Sequence, residues 1–377
     1  MATLTPLAHS NCVTVKIGSA LLVDQESGHI NQNWLADLGQ DIAALKQAGK
    51  DVIIVSSGAI ALGRQRLGFK KSKLTLAEKQ ASAAAGQSVL TRAYEDVLAP
   101  FGIVTAQALL TLNDTEDRRR WINARETLTT LISVGAIPII NENDTVATDE
   151  IRYGDNDRLA ARVAQMVGAD CLVLLSDVDG LYDKNPTLHE DATHIPQISS
   201  LTPEIMKMGG DANQTIGVGS GGMATKLQAA KIATEAGCAV AITKGNETRP
   251  LTALMEGKLN ASWFIAQTSS LAARKQWIAG SLKPQGAIII DAGAANALAN
   301  GKSLLAAGVT DIRGQFEKGD AVEIHGPAGT CLGRGLCGYS AAEAIKIKGL
   351  KSGDIEATLG YDGGTTLIHR DNMVLET

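Results

Sequence analysis

Five short apolar runs, mostly without the polar alternation of a half-exposed strand, constrain this fold more than anything else in the chain. Residues 13–17, 52–55, 137–140, 171–175 and 238–242 read as strands buried on both faces. Between them lie helical patterns over 34–48, 77–98, 125–134, 158–167 and 224–236. This alternation predicts an α/β domain with an open, mostly parallel sheet sandwiched by helices. Ligands of such sheets bind outside the C-terminal ends of the strands. Composition agrees: 45% of the residues are apolar but only 3% aromatic, which suits helices packed on a parallel sheet better than an all-β sandwich.

The pattern changes over residues 271–285. A helical stretch and Lys283-Pro284 give way to short glycine-rich strands over 287–290, 321–324, 329–337 and 365–369. At 377 residues, two or three domains are expected. The division read here is 1–275 for the α/β domain, 276–285 for a linker and 286–370 for a small β-rich domain. The net charge of −5 argues against a general nucleic-acid or membrane-surface role. No apolar run approaches a membrane span and no N-terminal signal-like segment is present, so a cytoplasmic setting is expected. Cysteines 12, 171, 238, 331 and 337 form no C-x-x-C pair. Cys171 and Cys238 read as buried small hydrophobes, while Cys331 and Cys337 look too isolated for a metal site, with no histidine at ligand spacing.

The candidate chemistry lies where the strands end. The first run carries Lys16 within an apolar strand, a costly placement unless the charge is paired or used. The second ends in the small-residue turn Ser56-Ser57-Gly58-Ala59-Ile60, which leads into a helix. The run 137–140 opens into I-N-E-N-D-T-V-A-T-D-E, closely followed by Y-G-D-N-D at 153–157. Its carboxylates and amides could bind an amino group, a metal or a lysine; they could equally form a solvated turn, with Asp157 as the cap of the following helix. The run 171–175 ends in Ser176-Asp177-Val178-Asp179-Gly180, whose carboxylates could face nucleotide or metal, or simply turn the chain.

Residues 217–226, G-V-G-S-G-G-M-A-T-K, place four glycines, a threonine and a lysine at a helix start. Backbone N–H groups and the positive end of the helix dipole there suit phosphate, although a plain surface turn would read similarly. The spacing is not a P-loop, because Met223 stands where its lysine belongs. No histidine-based triad, H-E-x-x-H or nucleophile elbow is present. Two lysines and a glycine-rich cradle point instead to phosphoryl transfer, in which positioning and charge stabilisation supply the catalysis.

Taken in order, V-K-I-G-S, S-S-G-A-I-A-L-G, D-R-R-R-W-I-N-A-R-E-T-L, I-N-E-N-D-T-V-A-T, G-D-N-D-R-L-A-A, S-D-V-D-G-L-Y and G-S-G-G-M-A-T-K closely resemble the glutamate 5-kinases, a branch of the amino acid kinase family. The resemblance covers essentially the whole chain and implies that the β-rich tail is a PUA domain. It implies ATP- and Mg²⁺-dependent phosphorylation of the γ-carboxylate of L-glutamate, the first step of proline biosynthesis. By resemblance, Lys16 and Lys226 contact the transferring phosphate and Asp157 holds them. Ser57, Asp144 and Asn156 then bind glutamate, with Asn141 close by. ATP is bound by Lys16, Ser176, Asp177, Ser220, Gly221, Gly222, Met223, Ala224, Thr225 and Lys226. Ser176 and Ser220 stand where many relatives carry threonine, and both keep a hydroxyl.

The resemblance further implies a homo-oligomer and feedback inhibition by proline. Sister kinases acting on aspartate, N-acetylglutamate or UMP are the nearest alternatives. An RNA-binding role through the PUA domain is disfavoured, because residues 286–377 carry eight lysines and arginines against eleven aspartates and glutamates.

Overall fold

The computed structural model describes residues 5–24, 26–71, 73–147, 155–210, 222–281 and 283–376. The chain divides into two compact units, Met1–Ser270 and Leu271–Thr377.

Ten strands are described in the first unit. They are β1 (Cys12–Ile17), β2 (Asp51–Val55), β3 (Thr105–Leu110), β4 (Ile137–Glu142), β5 (Cys171–Ser176), β6 (Leu181–Tyr182), β7 (His194–Ile195), β8 (Gln197–Ile198), β9 (Ala239–Lys244) and β10 (Ala261–Phe264). Eight of them form one sheet in the order β3-β4-β2-β1-β5-β9-β10-β8, while β6 and β7 pair separately. Every pairing in this sheet is parallel except β9 with β10. The expected mostly parallel sheet is therefore present. β3 and β10 carry no strong sequence signal: β3 is only half-buried along its length and was not anticipated.

The strands are buried because helices cover both faces. On one face Val13, Val15, Ile17, Val52 and Ile54 pack with Leu35, Leu38 and Ile42 of the helix Gln32–Gln47 and with Leu90 and Tyr94 of the helix Leu76–Leu98. On the other, Ile53, Val55, Leu172, Leu174 and Ile242 pack with Leu128, Leu159, Val163 and Leu227. These come from the helices Arg118–Ser133, Asp155–Val167 and Met223–Glu235. Strand alternation then puts Lys16, one residue out of phase with Val15 and Ile17, on the second face.

Two helices meet closely enough to require glycine. A Cβ on Gly63, in the helix Ala59–Arg66, would lie 1.7 Å from the Ser82 carbonyl oxygen. One on Gly86 would lie 1.8 Å from that of Ala59. This contact seats the long helix Leu76–Leu98, which starts in a Thr75–Glu78 capping box.

The chain adds β2, β4 and β3 to one side of β1 and only then crosses to β5 on the other. The strand order thus reverses between β1 and β5, the place where open α/β sheets leave a crevice beyond the strand ends.

The second unit opens with the helix Ser270–Ser281, so part of the expected linker 276–285 is helical, with Ile278 packed beside Ala321 and Leu336. Its strands are β11 (Gly286–Ile290), β12 (Leu304–Leu305), β13 (Val309–Gly314), β14 (Ala321–His325), β15 (Cys331–Leu336), β16 (Thr366–Ile368) and β17 (Met373–Leu375). Five form a sheet in the order β13-β11-β14-β15-β17, and β12 pairs with β16. Ile288, Ile290, Phe316, Ile324 and Tyr339 fill its core.

Candidate active site

The C-terminal ends of β1, β2, β4 and β5 supply Lys16, Ser56-Ser57, Asn141 and Ser176-Asp177. The helix Asp155–Val167 brings Asn156 and Asp157 to them, and the helix Met223–Glu235 brings Thr225 and Lys226.

Asp157 is the hub. Its side chain is completely buried, and Lys16 Nζ lies 2.7 Å from Oδ1 while Lys226 Nζ lies 3.4 Å from Oδ2. Thr225 Oγ1 is 3.0 Å from Oδ2 and 2.8 Å from the Gly222 carbonyl oxygen. Burial alone would raise the Asp157 carboxyl, but the two ammonium groups and these hydrogen bonds hold it below its ordinary value. The Lys226 ammonium is pushed down by burial and by its neighbour Lys16, against the pull of Asp157 and Asp177. The helix begins at Asp155, so Asp157 lies inside its first turn and pairs with lysines.

Asn156, the preceding residue, points its amide elsewhere. Its Nδ2 donates to the Ser56 carbonyl at 2.8 Å, to Ser57 Oγ at 2.9 Å and to Asn141 Oδ1 at 3.0 Å. Asn141 Nδ2 in turn donates to Gln87 Oε1 at 2.8 Å, and Ser56 Oγ lies 2.9 Å from the hydroxyl of fully buried Tyr94. Ser57, Asn141 and Asn156 are thus one network, and the Asn156–Asp157 backbone ties it to the lysine cluster. Gln87 and Tyr94 were not anticipated. Their signal was a glutamine and a tyrosine on the apolar stripe Ala83, Leu90, Leu98 of a long helix.

Asp144 follows β4 in the turn 143–147, which Gln80 Nε2 holds by donating to the Ala147 carbonyl at 3.2 Å. It is only 7% exposed, and no side-chain partner is found among the described residues. Burial pushes its carboxyl up to about 6. A carboxylate in that condition is relieved by a ligand that brings positive charge.

Buried Ser176, the last residue of β5, donates from Oγ to Oδ1 of exposed Asp177 at 3.0 Å. Gly222, at the N-cap of the helix Met223–Glu235, brings no side chain to cap the first-turn amides of Met223 and Ala224. Ser220 and Gly221, the earlier glycines at 217 and 219, and residues 148–154 of the polar block lie outside the described residues.

An α/β sheet whose strand-order switch carries two buried lysines on one carboxylate defines a phosphate-handling enzyme. The chain belongs to the amino acid kinase family, whose family model matches residues 11–244; the PUA domain model matches residues 286–359. Among curated relatives it is similar to the glutamate 5-kinase of Dinoroseobacter shibae, 58% identical with 99% of this chain and 100% of the relative covered. It is also similar to the glutamate 5-kinase of Paramagnetospirillum magneticum, at 54% identity with 99% and 100% covered. To that of Caulobacter vibrioides it is 56% identical, with 96% of each chain covered.

Proposed function

We propose that the protein transfers the γ-phosphoryl group of ATP to the γ-carboxylate of L-glutamate, giving L-glutamyl 5-phosphate and ADP for proline biosynthesis. The observation that carries this reading is the buried Lys16–Asp157–Lys226 cluster beside a separate amide network, in a chain similar over nearly its full length to glutamate 5-kinases.

The chemistry needs no general base. A glutamate γ-carboxylate has a pKa of about 4.3, so near neutral pH it is already the nucleophile. One of its oxygens forms the new bond to the γ-phosphorus as the bond to the ADP oxygen breaks. The obstacle is repulsion between two anions. Lys16 and Lys226 offset it, held apart from each other and aimed by Asp157. The amides of Met223 and Ala224 support the nucleotide phosphates, as would Ser220 and Gly221. Mg²⁺ would enter on the phosphates and neutralise their charge. The hard oxygens of Ser176 and Asp177 fit it, whereas Asp157 is already engaged by lysines.

Asp144 takes the α-ammonium of glutamate, and Ser57, Asn141 and Asn156 take its carboxylate oxygens. Proline carries the same α-carboxylate and a cationic nitrogen, so it competes for this pocket as a feedback inhibitor. The working form is a cytoplasmic homo-oligomer; no described helix is long and apolar enough to cross a membrane.

Hydroxylamine trapping with MgATP tests the reaction, comparing L-glutamate, L-aspartate and N-acetyl-L-glutamate. Hydroxamate formed with L-glutamate alone is the expected result. Product only with another acid, or none from folded protein, overturns it.

A further inference from the structure

We infer that the β14–β15 hairpin of the second unit carries a binding site for a divalent transition cation of the zinc class, formed by Glu323, His325 and Cys331. The site is independent of the kinase reaction.

The hairpin explains how these residues meet. Glu323 and His325 are two apart on β14 and therefore share a face. Cross-strand pairing runs Glu323 with Arg334 and Ile324 with Gly333, then shifts so that His325 pairs with Cys331. The extra residue is Leu332, which packs against the core of this unit. Directly opposed residues lie on one face, so the bulge turns Cys331 toward His325 and Glu323. Gly333 permits it: its φ is +152°, and a Cβ there would lie 2.1 Å from the Val374 carbonyl oxygen. The six-residue separation of His325 and Cys331 hid this grouping from the sequence reading, which judged Cys331 isolated. The turn closes that separation.

The donor atoms of the three side chains lie within 4.8 Å of one another, and all three residues are partly buried. Ligand atoms around a tetrahedral zinc, at bond lengths of about 2.0–2.3 Å, are roughly 3.3–3.8 Å apart, so small side-chain rotations suffice.

The imidazole supplies an independent indication. Its Nδ1 lies 3.0 Å from the Gly329 carbonyl oxygen, which can only accept, so Nδ1 carries a proton. That bond fixes the ring and aims Nε2 at Glu323 Oε2, 2.9 Å away. Metal-bound histidines are held in this way, with the other ring nitrogen donating to a carbonyl. Nε2 faces a second acceptor, so either a proton or a cation must lie between them. Without metal it is a proton, shared with Glu323 Oε2. On binding, the cation takes the Nε2 lone pair and the Cys331 thiolate, and both protons leave to solvent. Thiolate, imidazole and carboxylate together suit zinc rather than magnesium or calcium, with a fourth position left for water.

The other thiols do not compete. Burial pushes Cys12, Cys171 and Cys337 up to about 12 and Cys238 well above its ordinary value.

The test is titration of the metal-free full-length protein with Co²⁺, reading thiolate-to-cobalt charge-transfer absorption, followed by displacement with Zn²⁺. One equivalent per chain is expected. The band should vanish in Cys331→Ser, and the affinity should fall at least about tenfold in His325→Ala. Kinase turnover with MgATP should be unchanged in both. Absence of the band in the wild type, or its persistence in Cys331→Ser, overturns the site. A second measurement needs no variant: Zn²⁺ must slow iodoacetamide alkylation of Cys331, followed by peptide mapping, and an unchanged rate also overturns it.

Discussion

Lys16 Nζ sits 2.7 Å from Asp157 Oδ1, joining the end of the central strand β1 to the first turn of the helix Asp155–Val167. Lys226 completes the arrangement from a third element, 3.4 Å from the other carboxylate oxygen. The three elements are distant in sequence, and the carboxylate is what holds the two like charges in one place.

Removing either part of this cluster should affect chemistry more than substrate binding. Lys226→Met should lower kcat by about 100- to 1000-fold with little change in glutamate KM, the loss expected for one charge-stabilising donor. Asp157→Asn should lower kcat similarly. It should also reduce stability by about 3–5 kcal/mol, because two buried ammonium groups lose their counter-charge. Initial rates and urea denaturation measure both. Asp41→Asn is the control: it removes the charge paired with Arg249, whose Nε lies 2.8 Å from Oδ1, and leaves one acceptor oxygen where Asp41 has two, the second of which takes the Leu251 amide at 2.7 Å. It should lower the urea midpoint and leave turnover per folded molecule unchanged.

Asp144 should couple activity to pH. Its carboxyl is raised to about 6 by burial, so below that pH it is protonated and cannot hold an ammonium. The kcat/KM for glutamate should therefore fall about tenfold per pH unit below 6, and the Asp144→Asn variant should lack this limb. Near pH 7.5 that variant should show a glutamate KM raised about 10- to 100-fold with ATP KM unchanged. The stability effect has the opposite sign. A raised carboxyl pKa means the folded state holds the proton more tightly, so stability declines as pH rises through the window from the unfolded value, near 4, to about 6. Asp144→Asn should accordingly be more stable at pH 7, by roughly 1–3 kcal/mol in thermal or urea unfolding. A less stable variant would count against a destabilising burial of this carboxylate.

Gln87 should act only through Asn141. Gln87→Leu leaves the Asn141 amide without its acceptor and should raise glutamate KM about tenfold, while ATP KM stays the same. Gln87→Glu keeps an acceptor oxygen and should recover most of that loss. Steady-state kinetics with each substrate varied separates these outcomes.

The glycine contact between the helices Ala59–Arg66 and Leu76–Leu98 should not tolerate a methyl group. Both clashes are with backbone oxygen, at 1.7 and 1.8 Å, so no side chain can move aside. Gly63→Ala and Gly86→Ala should each cost about 3 kcal/mol or more, read from the shift in urea midpoint. Gly257→Ala, with nothing within 4 Å but a φ of +70°, should cost only the smaller conformational penalty of about 1 kcal/mol.

The buried strands β1, β2, β4, β5 and β9, the covering helices and the residues at the strand ends were legible in the sequence. Unbroken apolar runs and 3.6-residue stripes are local patterns, and an isolated lysine in such a run marks itself by its desolvation cost. The half-buried β3 carries no such pattern. Nor does any local signal say that Asp157 meets Lys226 across 69 positions, or that Asn141 finds Gln87 across 54. Those contacts depend on strand order and helix placement. The sequence by itself determined which segments are strands and helices and which polar groups stand at their ends, because burial period is written residue by residue. Only the tertiary structure decided that Asp157 meets two lysines, that Asp144 is buried with no side-chain partner among the described residues, and that a bulge at Leu332 turns Cys331 toward His325. Each of these depends on register and on which surfaces pack together, and neither is encoded in any short stretch of chain.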